Sequence, residues 1–274
     1  MQVYTTTTSV ITVYSETTEP KTESTQSNRV EKASLRLNPL STCNKLFVAI
    51  PRFEIKGDID ILALLIERNL LKKNLEISKP TLDMFPVLQE VEQRLPELLA
   101  DRSRWKSLFI DYQPPYLYRI FCDLESEALE GKKVRACLHY FLPAKETELK
   151  ADDVEKSSGD SGENLYHPHA WASCMRILEG SYDQDLGYAD RCGINAEPPK
   201  LCQTTHGPGD SYQMNHPWLW HQVNPRPNLP VSTLMVTHIP EGWDQEKPQS
   251  TKTLRTLTEE ELDFMFAHFV KLLI

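Results

Sequence analysis

Gly162-Glu-Asn-Leu-Tyr-His-Pro-His-Ala-Trp-Ala-Ser-Cys-Met-Arg-Ile-Leu-Glu-Gly180 is the stretch on which the fold turns. Residues 170–179 read as a strand that Gly180 interrupts, and a second strand-like run follows at 181–189. On a strand, residues i and i+2 project to the same face, so His167 and His169 can point together into a barrel. Such a pair is either a surface or hydrogen-bonding accident or the beginning of a metal site. A third imidazole from a later, neighbouring strand would complete a facial set with open positions. Asn215-His-Pro-Trp-Leu-Trp-His-Gln-Val-Asn224 offers two, His216 and His221.

Working outward, Tyr116-Leu-Tyr-Arg-Ile-Phe-Cys122 and Val134-Arg-Ala-Cys-Leu-His-Tyr-Phe-Leu142 are β-branched and aromatic-rich, and further strand-like runs lie at 211–224 and 231–239. The Pro/Gly-rich region 197–209 reads as a break, with His206 a loop residue; His139, among apolar neighbours, reads as a satisfied strand histidine. Short strands at this spacing predict a β-sandwich or small barrel over residues 115–245. Between Lys145 and Asn164 seven acids and three lysines mark a solvated loop.

Ahead of the barrel, residues 1–40 are rich in Thr and Ser and too poor in apolar surface to offset the entropy of ordering; they read as a flexible tail. Residues 41–114 read as a helical cap. It opens with an extended Leu46–Ile50 stopped by Pro51, then a helix capped by Asp58 or Asp60 and carrying Ile61, Leu64, Leu65 and Leu71. A second helix runs from Leu82 to Leu95, and Pro96 opens a short third, 97–100. Residues 246–274 hold the clearest helix. Thr258 with Glu261 makes a capping box, Leu257 can staple to Leu262, and Leu262, Met265, Phe266, Phe269, Val270 and Leu273 form one apolar face for docking on the barrel.

The chain has 274 residues, 40% hydrophobic and 25% charged, enough for a sizeable core and incompatible with wholesale disorder. Net charge is −9 with no basic stripe, which argues against nucleic acid as a partner. No apolar run approaches the roughly 18 residues of a spanning helix. The start lacks the basic residues and apolar core of a secretory signal, and six cysteines occur without a CxxC pair. Cys43, Cys122, Cys137, Cys174, Cys192 and Cys202 are therefore read as reduced thiols, with the cytoplasm the expected compartment.

The quoted segments resemble the two motifs of the cupin metal barrels. The first is HxH, three or four residues, usually Glu, six residues and Gly. The second is Pro-x-Gly, two residues, His, three residues and Asn. Here Trp218 stands where Gly is usual, and Asn224 comes one place early. The resemblance implies a cupin, a double-stranded β-helix or jelly-roll barrel, with His167, His169 and His221 as metal ligands; the His-Gln-Val-Asn context prefers His221 over His216. The first-motif Glu is missing, with Ser173 or Cys174 at its place according to the spacer. A three-histidine cupin without Glu resembles the thiol dioxygenases, the cysteine, mercaptopropionate and cysteamine enzymes. Cys174, five residues after His169, matches the cross-link cysteine of the animal-type cysteine dioxygenases. His169-Ala-Trp171, His221-Gln-Val-Asn224 and Pro230-Val-Ser-Thr-Leu-Met-Val236 resemble mercaptopropionate dioxygenase segments. Trp105, the helix before the barrel and Tyr118-Arg119 resemble the region whose arginine holds the substrate carboxylate. The likeness is distant and spans residues 80–245.

The family's Ser-x-His-x-Tyr motif becomes Ser232-Thr-Leu-Met-Val236, so Tyr182, Tyr188, Tyr212 or His238 would have to rebuild the layer behind the ligands. The expected activity is a non-heme Fe(II) dioxygenase adding O2 to the sulfur of a small thiol. Arg119, Cys174 and Tyr212 are the catalytic candidates. Three neutral ligands leave the full charge of a divalent iron on the site, which favours a thiolate. The alternatives are a cupin oxygenase or isomerase using manganese, nickel or zinc on another small molecule, and a non-catalytic ligand-binding cupin.

Overall fold

The computed structural model describes residues 50–71, 81–111, 116–143, 145–146, 166–169, 171–189, 198–226, 228–241 and 254–273. The Thr/Ser-rich tail, residues 46–49, nearly all of the acidic 145–164 run, Cys43 and Cys192 lie outside these. In chain order the early elements are β1 (Arg52–Glu54), β2 (Asp58–Asp60), α1 (Ile61–Glu67), α2 (Phe85–Ala100) and β3 (Lys106–Ile110). The long hairpin β4 (Leu117–Ser126) and β5 (Lys132–Phe141) follows, then β6 (His167–Pro168), β7 (Ala172–Glu179) and β8 (Tyr182–Tyr188). The chain continues through β9 (Lys200–His206), β10 (Ser211–Met214), β11 (Leu219–Pro225) and β12 (Val231–His238) to α3 (Glu259–Leu273). The fold is mainly β, with helices before and after, as the sequence predicts.

The strands form two sheets, one ordered β1-β9-β8-β11-β6 and the other β2-β10-β7-β12-β5-β4-β3. Side-chain alternation gives each strand two jobs. In the seven-stranded sheet Leu117, Cys137, Phe141, Met175, Ile177 and Met235 face the other sheet and pack against its Tyr182, Leu186, Cys202 and Leu219. The opposite face of that sheet presents Tyr118, Ile120, Cys122, Ala136, Leu138, Cys174, Leu234 and Val236 to α2 and α3. Being covered on both faces, these strands read as nearly continuous apolar runs. The five-stranded sheet carries Asp183, Asp185, Gln203, Thr205, Gln222 and Asn224 on its outer side, and so reads as broken and polar.

Two boundaries differ from the sequence reading. The region 41–114, read as a helical cap, also gives three strands to the sheets: β1 pairs parallel with β9, β2 parallel with β10, and β3 antiparallel with β4. The supposed break at 197–209 contains β9. Its inward positions are Cys202, Thr204 and His206, so polar inner side chains hide the alternation that marks a strand. Gly180 does turn the chain: its φ is +73°, and a Cβ there would lie 2.3 Å from the Pro230 carbonyl oxygen.

The helices are fastened by side-chain caps. Asp60 accepts from the Ala63 amide at the start of α1 (2.9 Å), and Gln213 accepts from the Met84 amide ahead of α2 (2.8 Å). Pro96 does not open a new helix: α2 runs through it, held by the burial of Leu95, Leu98 and Leu99 and by Arg176–Glu92 contact to β7. The capping box of α3 is present, with Glu261 accepting from the Thr258 amide and Thr258 Oγ1 from the Glu261 amide. Met265, Phe266 and Phe269 are buried as expected, whereas Val270 is 40% exposed. Glu261 also accepts from Tyr118 Oη (3.0 Å) and from both Arg255 terminal nitrogens (2.7 and 2.8 Å). Urea denaturation should therefore show Thr258→Ala costing about 1 kcal/mol and Glu261→Ala about 3 kcal/mol, because it also strands buried and charged donors.

Candidate metal centre

β6 pairs antiparallel with β11, placing His167 directly opposite His221 and Pro168 opposite Trp220. Both histidines therefore face inward, while Trp220 lies outside against Tyr166. His169, one alternation on, joins them. Tyr166, which leads into β6, is seated over Gly187, where a Cβ would come within 1.7 Å of its hydroxyl.

The three imidazoles form one cluster. One ligand atom from each lies within 4.8 Å of the others, and the His169 and His221 Nε2 atoms are 2.8 Å apart. Two imidazole nitrogens bound cis at the usual distance of about 2.1 Å stand about 3.0 Å apart, so this pair is already spaced as ligands. His169 Nδ1 is 3.0 Å from Ser173 Oγ, which leaves Nε2 as its ligand atom. Ser173, at the place of the missing Glu, is thus a hydrogen-bond partner of His169. Among the described residues no carboxylate belongs to the cluster. The donor set fits a divalent cation that accepts imidazole.

Burial holds the His169 imidazole well below its usual pKa, helped by His167 and Arg119; His221 is lowered by burial and by His169, His167 and His206. Neutral imidazole is the form a metal requires. Behind His221 stands a polar layer that the sequence reading missed. Gln184 Nε2 is 2.8 Å from His221 Nδ1, and Gln184 Oε1 is 3.1 Å from His206 Nε2, which is also 2.9 Å from Thr204 Oγ1. Far from being a loop residue, His206 is fully buried on β9. The available signal was an amide between Tyr182 and Leu186 at an inward position of β8.

On the opposite wall Arg119 projects between the sheets and donates from Nε to His139 Nε2 at 2.8 Å, while His139 Nδ1 lies 3.3 Å from Thr233 Oγ1. His139 is satisfied, as expected for a strand histidine. Arg119 has no carboxylate partner among the described residues.

The remaining candidates sit elsewhere. Cys174 lies on the helix-facing side of β7, one residue out of phase with Ser173, and burial raises its thiol pKa; it does not face the triad. Leu234 and Val236 face the helices too, so the missing His and Tyr of that segment would not have reached the centre; Thr233 faces inward, opposite His139. Tyr212 is interior, but its hydroxyl pairs with Tyr182 (2.8 Å) and its ring neighbours His206 (4.7 Å) rather than a triad member. Tyr188 lies near His216 and Trp218, and His238 Nδ1 meets the Lys133 carbonyl oxygen at the outer end of β12. His216 precedes β11, with Nδ1 accepting from the Trp218 amide (3.3 Å), leaving His221 as the third member of the cluster.

These buried neutral histidines predict an acid-sensitive fold. His206 protonates near 6.5 when unfolded but only at about 4 when folded. The stability that depends on neutral His206 is therefore fully present above pH 6.5 and declines as pH falls toward 4, by about 3 kcal/mol. His139, His169 and His221 act in the same direction. Denaturant melts of metal-free protein across this range should show the decline, and His206→Gln should flatten it.

Fold and triad define a class: a mainly β, two-sheet protein whose interior can hold a metal ion on three histidines. No family model and no curated protein matches the chain. It is similar to hydroxypropylphosphonic acid epoxidase from S. wedmorenis, at 12% identity over 50% of this chain and 57% of that one, with a TM-score of 0.30. It is also similar to oxalate decarboxylase from Lactobacillus farciminis, at 11% identity over 51% and 31%, TM-score 0.27. A third is the Cnp3 cupin domain of Schizosaccharomyces pombe, at 10% identity over 44% and 65%, TM-score 0.27. The chain spans less than two thirds of the length of each. Such partial likeness assigns no activity.

Proposed function

We propose that this chain is a cupin-type, non-heme Fe(II) dioxygenase that adds O2 to the sulfur of a small thiol. The observation that supports it is the cluster itself: three imidazoles brought together, and, among the described residues, no carboxylate in the cluster and no acidic partner for the arginine on the facing wall. Iron held there would supply positive charge and open positions, stabilising a thiolate over the thiol. In the overall reaction a thiolate and O2 give a sulfinate, with O2 as both oxidant and oxygen source. His139 holds Arg119 by its Nε, which leaves the terminal nitrogens to receive a substrate carboxylate. Ser173 fixes the His169 ring, and the apolar wall of Phe141, Met235 and Leu186 limits water. Because Cys174 faces the helices, the chemistry proposed needs no thioether cross-link at that position.

That same departure favours a second reading, a cupin oxygenase or isomerase that uses the triad on another small molecule. Elemental analysis followed by oxygen-electrode assays with cysteine, mercaptopropionate, cysteamine and larger thiols separates the two. Bound iron with thiol-driven oxygen uptake is the expected result. Tightly held metal without thiol-dependent turnover would transfer the proposal to the second reading.

A further inference from the structure

The hydrogen bonds around His221 run in one direction. The Gln184 amide nitrogen can only donate, so His221 Nδ1, at 2.8 Å, accepts from it and the ring proton sits on Nε2. That Nε2–H donates to His169 Nε2, and His169 Nδ1–H donates to Ser173 Oγ. At the other end Gln184 Oε1 can only accept, so His206 donates from Nε2 and keeps its proton there. His206 Nδ1, fully buried, is left bare and has no hydrogen-bond partner among the described residues.

A metal needs lone pairs on both facing Nε2 atoms. His169 already has one there; His221 does not, because its proton occupies the ligand position. Moving that proton to Nδ1 would set it against the Gln184 NH2 group. A half-turn of the amide resolves the conflict: the carbonyl oxygen then accepts from His221 Nδ1–H, and the NH2 group turns to His206 Nε2. That nitrogen must then be an acceptor, which sends the His206 proton to the bare Nδ1. We infer that Gln184 is the positioning residue for His221, and that its amide turns over on metal binding and shifts the His206 proton from Nε2 to Nδ1. The inference rests on the triad being a metal centre.

Zinc(II) is the probe, being diamagnetic and tolerant of imidazole. Nitrogen-15 NMR of the histidine rings in the wild-type chain should show the His206 proton moving from Nε2 to Nδ1 as zinc saturates the site. Chelator competition should show Gln184→Leu binding zinc about 10–100-fold more weakly, as for other residues that orient a ligand. Gln184→Glu, whose oxygen accepts from Nδ1–H without turning, should bind within a few-fold of wild type. A packing role would give the reverse order, since Leu suits a buried site and a carboxylate does not. Unchanged His206 signals at zinc saturation, or wild-type affinity in Gln184→Leu, would overturn the inference while leaving the metal centre standing. A wild-type chain that binds no zinc would overturn both.

Discussion

Replacing His221 or His169 with alanine is expected to lower metal affinity by at least about a hundredfold, more than the loss of an orienting neighbour costs. Oxygen uptake should fall with it. The two are already 2.8 Å apart at their facing nitrogens, so either substitution removes half of a closely spaced pair. His167 is the least buried of the three, and His167→Ala should retain more metal than the others while still losing turnover. Metal content after dialysis against a weak chelator, read beside thermal melting, distinguishes ligand loss from unfolding. His216→Ala is the control: its Nδ1 meets the Trp218 amide outside the cluster, and metal content should stay near the wild-type level. Full metal occupancy in His221→Ala would remove the triad from consideration.

The second large effect is expected at Arg119. Arg119→Lys should raise KM for mercaptopropionate or cysteine about 10–100-fold while leaving iron content unchanged. A lysine ammonium cannot bond His139 and also present a planar pair of donors to a carboxylate. Turnover of cysteamine, which has no carboxylate, should be indifferent to the change. Equal losses for both thiols would show that Arg119 supports the His139–Thr233 wall rather than the substrate.

Much of the centre was legible in the sequence because it depends on local geometry. His167 and His169 share a face through the two-residue period of extended chain, and neither needs a distant partner to point that way. The α3 capping box is local for the same reason, its two hydrogen bonds joining residues three apart. The mainly β class followed from apolar strands that the structure buries on both faces, where nearly every position must be hydrophobic.

What the sequence left open depended on which face a residue occupies and what stands across from it. Cys174 has the spacing of a site residue, yet alternation on β7 turns it to the helices while Ser173 meets His169. β9 is hard to read as a strand because two of its three inward positions are Thr204 and His206, polar groups that only a buried partner makes stable. Gln184 and His206 become intelligible once β8, β9 and β11 lie side by side, because an amide is worth burying only where both its ends are hydrogen-bonded. Local sequence determined that two histidines two residues apart in extended chain face the same way. Tertiary pairing decided that His221 stands opposite His167, that Arg119 shares their interior, and that the residues behind His221 come from strands remote in sequence, since hydrogen-bond partners across a sheet are set by register and not by spacing along the chain.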